Sequence, residues 1–164
     1  MNDQTTKVVD LIRDFTTGML VTHGSDGHLH ARPMQIAEVE DSGRLWFLSG
    51  SDTAKIDEMR ADADVAVIFQ NERSSFVHLT GTARLSRERE QVERLWSEGF
   101  KTWFPDGKED ANLVVVCIEP RAAEYWDNRG ANKIRYAVQA LGAYAQGERP
   151  EVKEGEQHGR VDLR

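Results

Sequence analysis

The chain has 164 residues, 39% of them hydrophobic, with 13 glycines, which suits one domain with a core of its own and no need of disulfide staples. A formal net charge of −7 repels phosphate backbones, and the arginines at 84, 87, 89 and 94 are interspersed with glutamates instead of forming one basic face, so nucleic acid is not an expected partner. No apolar run approaches the roughly 20 residues of a membrane span, the N-terminal MNDQTTKVVD has no basic leader, and the single cysteine, Cys117, lies in an apolar run. These features predict a cytoplasmic protein without a membrane partner, its thiol buried in reducing surroundings.

Val8, Leu11, Ile12 and Phe15 recur at helical spacing and predict an amphipathic helix over residues 3–15, ended by Gly18. Residues 19–22 and 28–39 flank Ser25-Asp26-Gly27 as a β-hairpin, and Asp41-Ser42-Gly43 signals a second turn. Residues 44–49 form an aromatic-rich strand, after which Ser51 or Asp52 can cap a helix carrying Ile56 and Met59. Residues 65–69 are a nearly continuous apolar strand. In residues 76–85 Val77, Leu79, Ala83 and Leu85 alternate with His78, Thr80, Thr82 and Arg84, the period of a half-buried strand, with Gly81 marking a bulge or a close backbone approach.

Val92, Leu95 and Trp96 give residues 87–98 a helical apolar stripe, and Phe100 to Phe104 is an aromatic stretch closed by Pro105-Asp106-Gly107. Residues 113–118 are the last central strand, which Pro120 is expected to break before Glu124-Tyr125-Trp126. The fold class is therefore mainly β with peripheral helices, six or seven antiparallel strands closing a barrel. One domain spans residues 1–146, and residues 147–164 are a charged, flexible tail.

Two cations and several hydroxyls gather along the chain: Arg32-Pro33-Met34 on one strand, Phe47-Leu48-Ser49 on the next, then Ser51, Thr53 and Lys55 at a strand-to-helix junction. A helix N-terminus offers unpaired N–H groups and partial positive charge, so this group suits one phosphate. The same residues suit a plain cap at Ser51, a solvated Lys55 and a strand-edge Arg32, and spacing does not decide between the two. His23, His28 and His30 flank the first turn, but without a cysteine or a matching acidic ligand they predict a polar hairpin end and no metal site. Glu88, Glu90, Glu93 and Glu98 read as a solvated helix face, and Gly50-Ser51-Asp52 is not a nucleophile elbow.

Residues 18–126 resemble the general stress protein 26-like branch of the pyridoxamine 5'-phosphate oxidase-related, FMN-binding split-barrel family. The resemblance rests on Asp26-Gly27, His30-Ala31-Arg32-Pro33-Met34, Leu45-Trp46-Phe47-Leu48, Lys55, Gly81-Thr82-Ala83, Trp103-Phe104-Pro105 and Glu124-Tyr125-Trp126 in this order. It implies a homodimer with FMN, or alternatively FAD, at the subunit interface. Arg32 and Lys55 would contact the phosphate with Ser49 and Thr53 nearby, and Pro33 and Met34 would line the ring. Trp126 would reach the flavin from the partner subunit, and the Trp103-Phe104 segment would cover it.

Two departures bear on activity. Phe76 stands where the oxidases carry a glutamine, and Trp126 is followed by DNRGANKIRYA instead of an Arg-x-His substrate motif, so pyridoxamine phosphate oxidation is not expected. Arg129, Lys133 and Arg135 could hold an anion or be plain surface. An FMN-dependent oxidoreductase of unknown substrate is the first expectation, and a non-enzymatic flavin store or stress sensor the second. A barrel using deazaflavin or haem is the third, since fold does not fix function.

Overall fold

The computed structural model describes residues 3–71, 75–127, 140 and 157–163. Three helices, α1 (Asp3–Arg13), α2 (Ala54–Ala61) and α3 (Arg89–Leu95), accompany seven strands in the described chain. The strands are β1 (Thr17–His23), β2 (Leu29–Val39), β3 (Leu45–Gly50), β4 (Asp64–Gln70), β5 (Ser75–Ser86), β6 (Leu113–Asp127) and β7 (His158–Asp162). They form one antiparallel sheet in the order β3-β2-β1-β4-β5-β6-β7, and a further pairing of β3 with β6 closes the first six into a barrel. None of the described helices is long and apolar enough to cross a membrane.

The hairpins form where the turn residues predict them: Gly27 (φ 80°) and Gly43 (φ 84°) occupy the left-handed conformation that closes β1 to β2 and β2 to β3. Gly18, expected to end the first helix, instead belongs to β1, because α1 already stops at Arg13. The third helix is also shorter than its apolar stripe suggests, ending at Leu95 with Trp96 in extended conformation. Glu88, Glu90, Glu93 and Glu98 are exposed as expected.

Strand β3 is buried on both sides, which accounts for its unbroken apolar run. Leu45 and Phe47 point into the barrel core with Leu20, Val67, Leu79 and Tyr125, under α1. Trp46 and Leu48 point outward into a second cluster with Val92, Leu95, Phe100 and Phe104, beneath α3 and a 3-10 turn over Glu98–Thr102. Strand β6 divides its side chains the same way: Val114, Val116 and Ile118 face inward, Val115 and Cys117 outward. Burial pushes the Cys117 thiol up to about 11, consistent with an inert packed side chain.

Pro120 does not break β6. The strand runs on to Asp127 because a register shift at Thr80/Gly81 places Pro120 opposite Gly81, where the ladder is already irregular. At the far end, the stretch expected to be a flexible tail contains β7, paired with β6 from Ala122↔Asp162 to Trp126↔His158. The open backbone edge of β6 supplies the partners that so polar a segment lacks in itself, and Val161 is buried there.

Helix α2 is tied to the barrel by a polar cluster. The Glu58 carboxylate, 8% exposed, accepts from the Thr22 hydroxyl, from Arg32 at 2.6 Å and from the His30 ring at 2.6 Å, while the other ring nitrogen of His30 lies 3.1 Å from Asp26. Burial alone would raise the Glu58 carboxyl, but these three hydrogen bonds outweigh it and bring it down to about 2. Glu58 and Asp26, bonded to its two nitrogens, raise His30 above its ordinary value.

Two measurements test this architecture. A Cβ at Gly81 would stand 2.3 Å from the Glu119 carbonyl oxygen, a backbone atom that cannot yield. Gly81→Ala is therefore expected to cost about 1–3 kcal/mol in urea denaturation. The Glu58 contribution is present above its unfolded pKa near 4.5 and fades toward pH 2; that of His30 is present below 6.5 and fades as pH rises through its raised value. The stability gap between wild type and Glu58→Gln should be widest between these two values, and a gap unchanged on acidification to about pH 2 would contradict the assignment.

Candidate functional site

A cleft of about 530 Å³ opens where the end of β3 meets the middle of β2 and the loop into α2. Pro33, Met34 and Gln35 form one wall, and Leu48, Ser49 and Gly50 with Asp52, Thr53 and Lys55 form the floor. Phe100, Trp103 and Phe104 make the opposite side, with Thr17 and Asn112 completing the rim. The lining is mostly apolar, with Ser49, Asp52, Thr53 and Lys55 close in sequence at the entry to α2, an arrangement that suits an apolar ligand with a polar tail.

Lys55 is the cation of this cleft. It makes no direct hydrogen bond or ion pair with a described residue. Partial burial lowers its pKa, the nearby Arg32 charge lowers it further, and Asp52 and Glu58 oppose these effects. An ammonium held half out of water without a bonded counterion is a receptive point for an anionic group.

The loop before α2 is held by side chains that the sequence reading did not connect. Asn112 accepts from the Ser51 hydroxyl at 2.7 Å and from the Asp52 backbone N–H at 3.2 Å, and donates to the Asp52 carboxylate at 2.8 Å. Ser51 and Asp52 are thus occupied, and neither caps the helix. Thr53 stands at the N-cap position, but its hydroxyl donates back to the Gly50 carbonyl at 2.8 Å and accepts no hydrogen bond from the first helical turn. The unpaired N–H groups of α2 therefore keep no side-chain cap of their own. Asn112 left no signal in the sequence, because it lies 61 residues from Ser51 and meets it only through the pairing of β3 with β6.

Of the residues expected at the site, Pro33, Met34, Leu48, Ser49, Thr53, Lys55 and Trp103 line the cleft. Phe47 does not: it alternates with Leu48 and is fully buried in the barrel core. Ser51 is held on Asn112, behind the lining. Arg32 lies outside the lining too, its guanidinium bonded to Thr22, the His30 carbonyl and Glu58. Thr17, Gln35 and Asn112 line the cleft without having been singled out.

Trp103 is 71% exposed at the mouth, whereas Trp96 packs beside Phe100 and Phe104 as an ordinary core aromatic. Trp126 is on another part of the surface, stacked on His158 at 5.1 Å and bordering a shallow apolar depression with Ile68, Phe76 and His78. His23 pairs with Asp62 at 2.7 Å, and no group of three or more potential metal ligands gathers among the described residues. Arg129, Lys133 and Arg135 lie outside the described residues.

The family model described as "Pyridoxamine 5'-phosphate oxidase like" matches residues 3–151. General stress protein 26 of Bacillus subtilis is 29% identical over 118 residues, 70% of this chain and 81% of its own. Among solved structures, the general stress FMN/FAD binding protein from Xanthomonas citri is 29% identical with a TM-score of 0.68, covering 80% of this chain and 93% of that one. A putative general stress protein 26 from Jannaschia sp. CCS1 superposes over 98% of both chains with a TM-score of 0.71 at 22% identity, a likeness of fold. With a family match that takes in the whole six-stranded barrel and relatives that share its closure, this chain belongs to the pyridoxamine 5'-phosphate oxidase like family.

Proposed function

We propose that the cleft binds a flavin, as FMN, with the phosphate at Lys55 and the ring against Pro33, Met34 and Leu48 under Trp103. The observation that carries this reading is the half-buried Lys55 ammonium, bonded to no described residue, in a mostly apolar cleft. The size of the cleft suits the ring and its ribityl phosphate, and FAD shares both features. The Xanthomonas citri protein, described as FMN/FAD binding, supports the same class of ligand. One charge-assisted hydrogen bond contributes about 1.5–3 kcal/mol, while micromolar affinity needs about 8 kcal/mol, so the aromatic and aliphatic walls must supply most of the binding.

A bound flavin supplies the electron chemistry. The described lining has Lys55 and Asp52 as its only ionisable side chains, so the protein's part is to bind, orient and exclude water. An oxidoreductase of unknown substrate is the reading adopted. A non-enzymatic flavin carrier or sensor uses the same cleft and is separated from it by turnover with reduced nicotinamide and an artificial acceptor.

A homodimer completes this reading. Met19 (39% exposed), Ile68 (44%) and Trp126 (38%) stand on one outer face of the sheet, where Met19 pairs with Ile68 and Phe76 with Trp126. A second copy on this face would cover them and bring Trp126 toward the partner's cleft.

Three outcomes test these statements. The concentrated protein should show oxidised-flavin absorption bands, or its tryptophan fluorescence should be quenched saturably by micromolar FMN; deazaflavin or haem bands, or indifference to FMN, would count against the cofactor. Lys55→Ala should weaken FMN by about tenfold or more while leaving riboflavin nearly unchanged, and equal losses would remove the phosphate from Lys55. Light scattering should give a mass twice the 18.6 kDa of the chain, falling to the single-chain value in Ile68→Asp.

A further inference from the structure

Arg32 precedes Pro33 and Met34 of the cleft wall on β2, and its guanidinium is already engaged. One terminal nitrogen donates to the Thr22 hydroxyl and to the His30 carbonyl at 3.1 Å, and the other donates to Glu58 at 2.6 Å. An arginine has five N–H donors. Its Nε and the second hydrogen of the Glu58-bound nitrogen are left without a described partner. The acceptors that hold it are rigid, since Thr22 is 1% exposed on β1 and Glu58 is 8% exposed on α2.

Lys55 and Glu58 are three apart on α2 and so share a face of the helix. Arg32 and Lys55 are close enough for one charge to disfavour the other, and Glu58 offsets that repulsion at Lys55. Two like charges in a partly desolvated site separate unless a third group fixes one of them. A buried carboxylate bonded to Arg32 and three residues from Lys55 on the same helix does this.

We propose that Glu58 is a positioning residue for anion binding: with Thr22 it holds the Arg32 guanidinium beside Lys55, so that one phosphate meets two cations already in place. This rests on the reading of the cleft as a phosphate-ligand site. It differs from a purely structural role for Glu58, which would affect all ligands alike, and from an internal competitor for Arg32, whose removal would tighten phosphate binding.

The test compares FMN and riboflavin affinities, by fluorescence titration of the full-length chain, in wild type, Glu58→Gln, Thr22→Val, Arg32→Ala and the Arg32→Ala/Glu58→Gln pair. Glu58→Gln should weaken FMN by about tenfold with riboflavin within about twofold, and Thr22→Val should act in the same direction. In the Arg32→Ala background Glu58→Gln should no longer change the ratio of the two affinities, because its effect runs through Arg32. Equal loss of both ligands, tighter FMN binding, or an effect that persists without Arg32 would overturn the proposal. Should Glu58→Gln not fold, an unchanged ratio in Thr22→Val would overturn it. A wild type that binds both ligands alike overturns the phosphate reading of the cleft and this inference with it, whereas a wild-type preference that survives Glu58→Gln overturns this inference alone.

Discussion

The antiparallel pairing of β3 with β6, from Leu45↔Ile118 to Gly50↔Leu113, turns a sheet into a barrel, and most of what the molecule can do depends on it. Closure buries both faces of β3, forcing Leu45 and Phe47 into one core and Trp46 and Leu48 into another. It also brings Asn112 to the loop after β3, where its side chain ties Ser51 and Asp52 and sets the entry to α2. The position of Lys55 follows from that entry. The cleft is thus the outer consequence of a strand pairing whose inner consequence is the hydrophobic core.

Polar groups are treated differently at the two places where they matter. In the cluster under α2, every charge has a bonded counterpart: Glu58 meets Arg32 and His30, and His30 also meets Asp26. That cluster bears the desolvation of a buried carboxylate because its hydrogen bonds more than offset it. On the same helix, Lys55 has no bonded partner among the described residues. The carboxylate and imidazole of the cluster are thus bonded to one another and to Arg32, whereas the cleft cation has no bonded partner among the described residues.

Much of this was legible along the chain. Strand β5, with its period-two alternation, and the two glycine turns announced themselves, since both signals are local. Several site residues were legible for a different reason: Pro33, Met34, Ser49, Thr53 and Lys55 sit in short motifs at a strand end and a helix start, where local geometry already limits what they can face. Arg32 was recognisable as a candidate cation, but not as one held by Glu58, since that bond joins residues 26 apart through helix packing.

Other features had no local signature. Pro120 predicted a break because a proline removes a ladder hydrogen bond, and the strand continued because the bulge at Gly81, on a neighbouring strand, absorbs the irregularity. Strand β7 is too polar to announce itself and exists only because β6 offers an edge. The sequence by itself determined the class of the fold, its turns and the residue types that can grip an anion, because these follow from side-chain periodicity and backbone preference. That Phe47 is core and Leu48 cleft, that Asn112 clamps the loop, and that Arg32 is held while Lys55 is bonded to no described residue came from tertiary contacts alone, because each depends on which distant strand or helix supplies the neighbouring atoms.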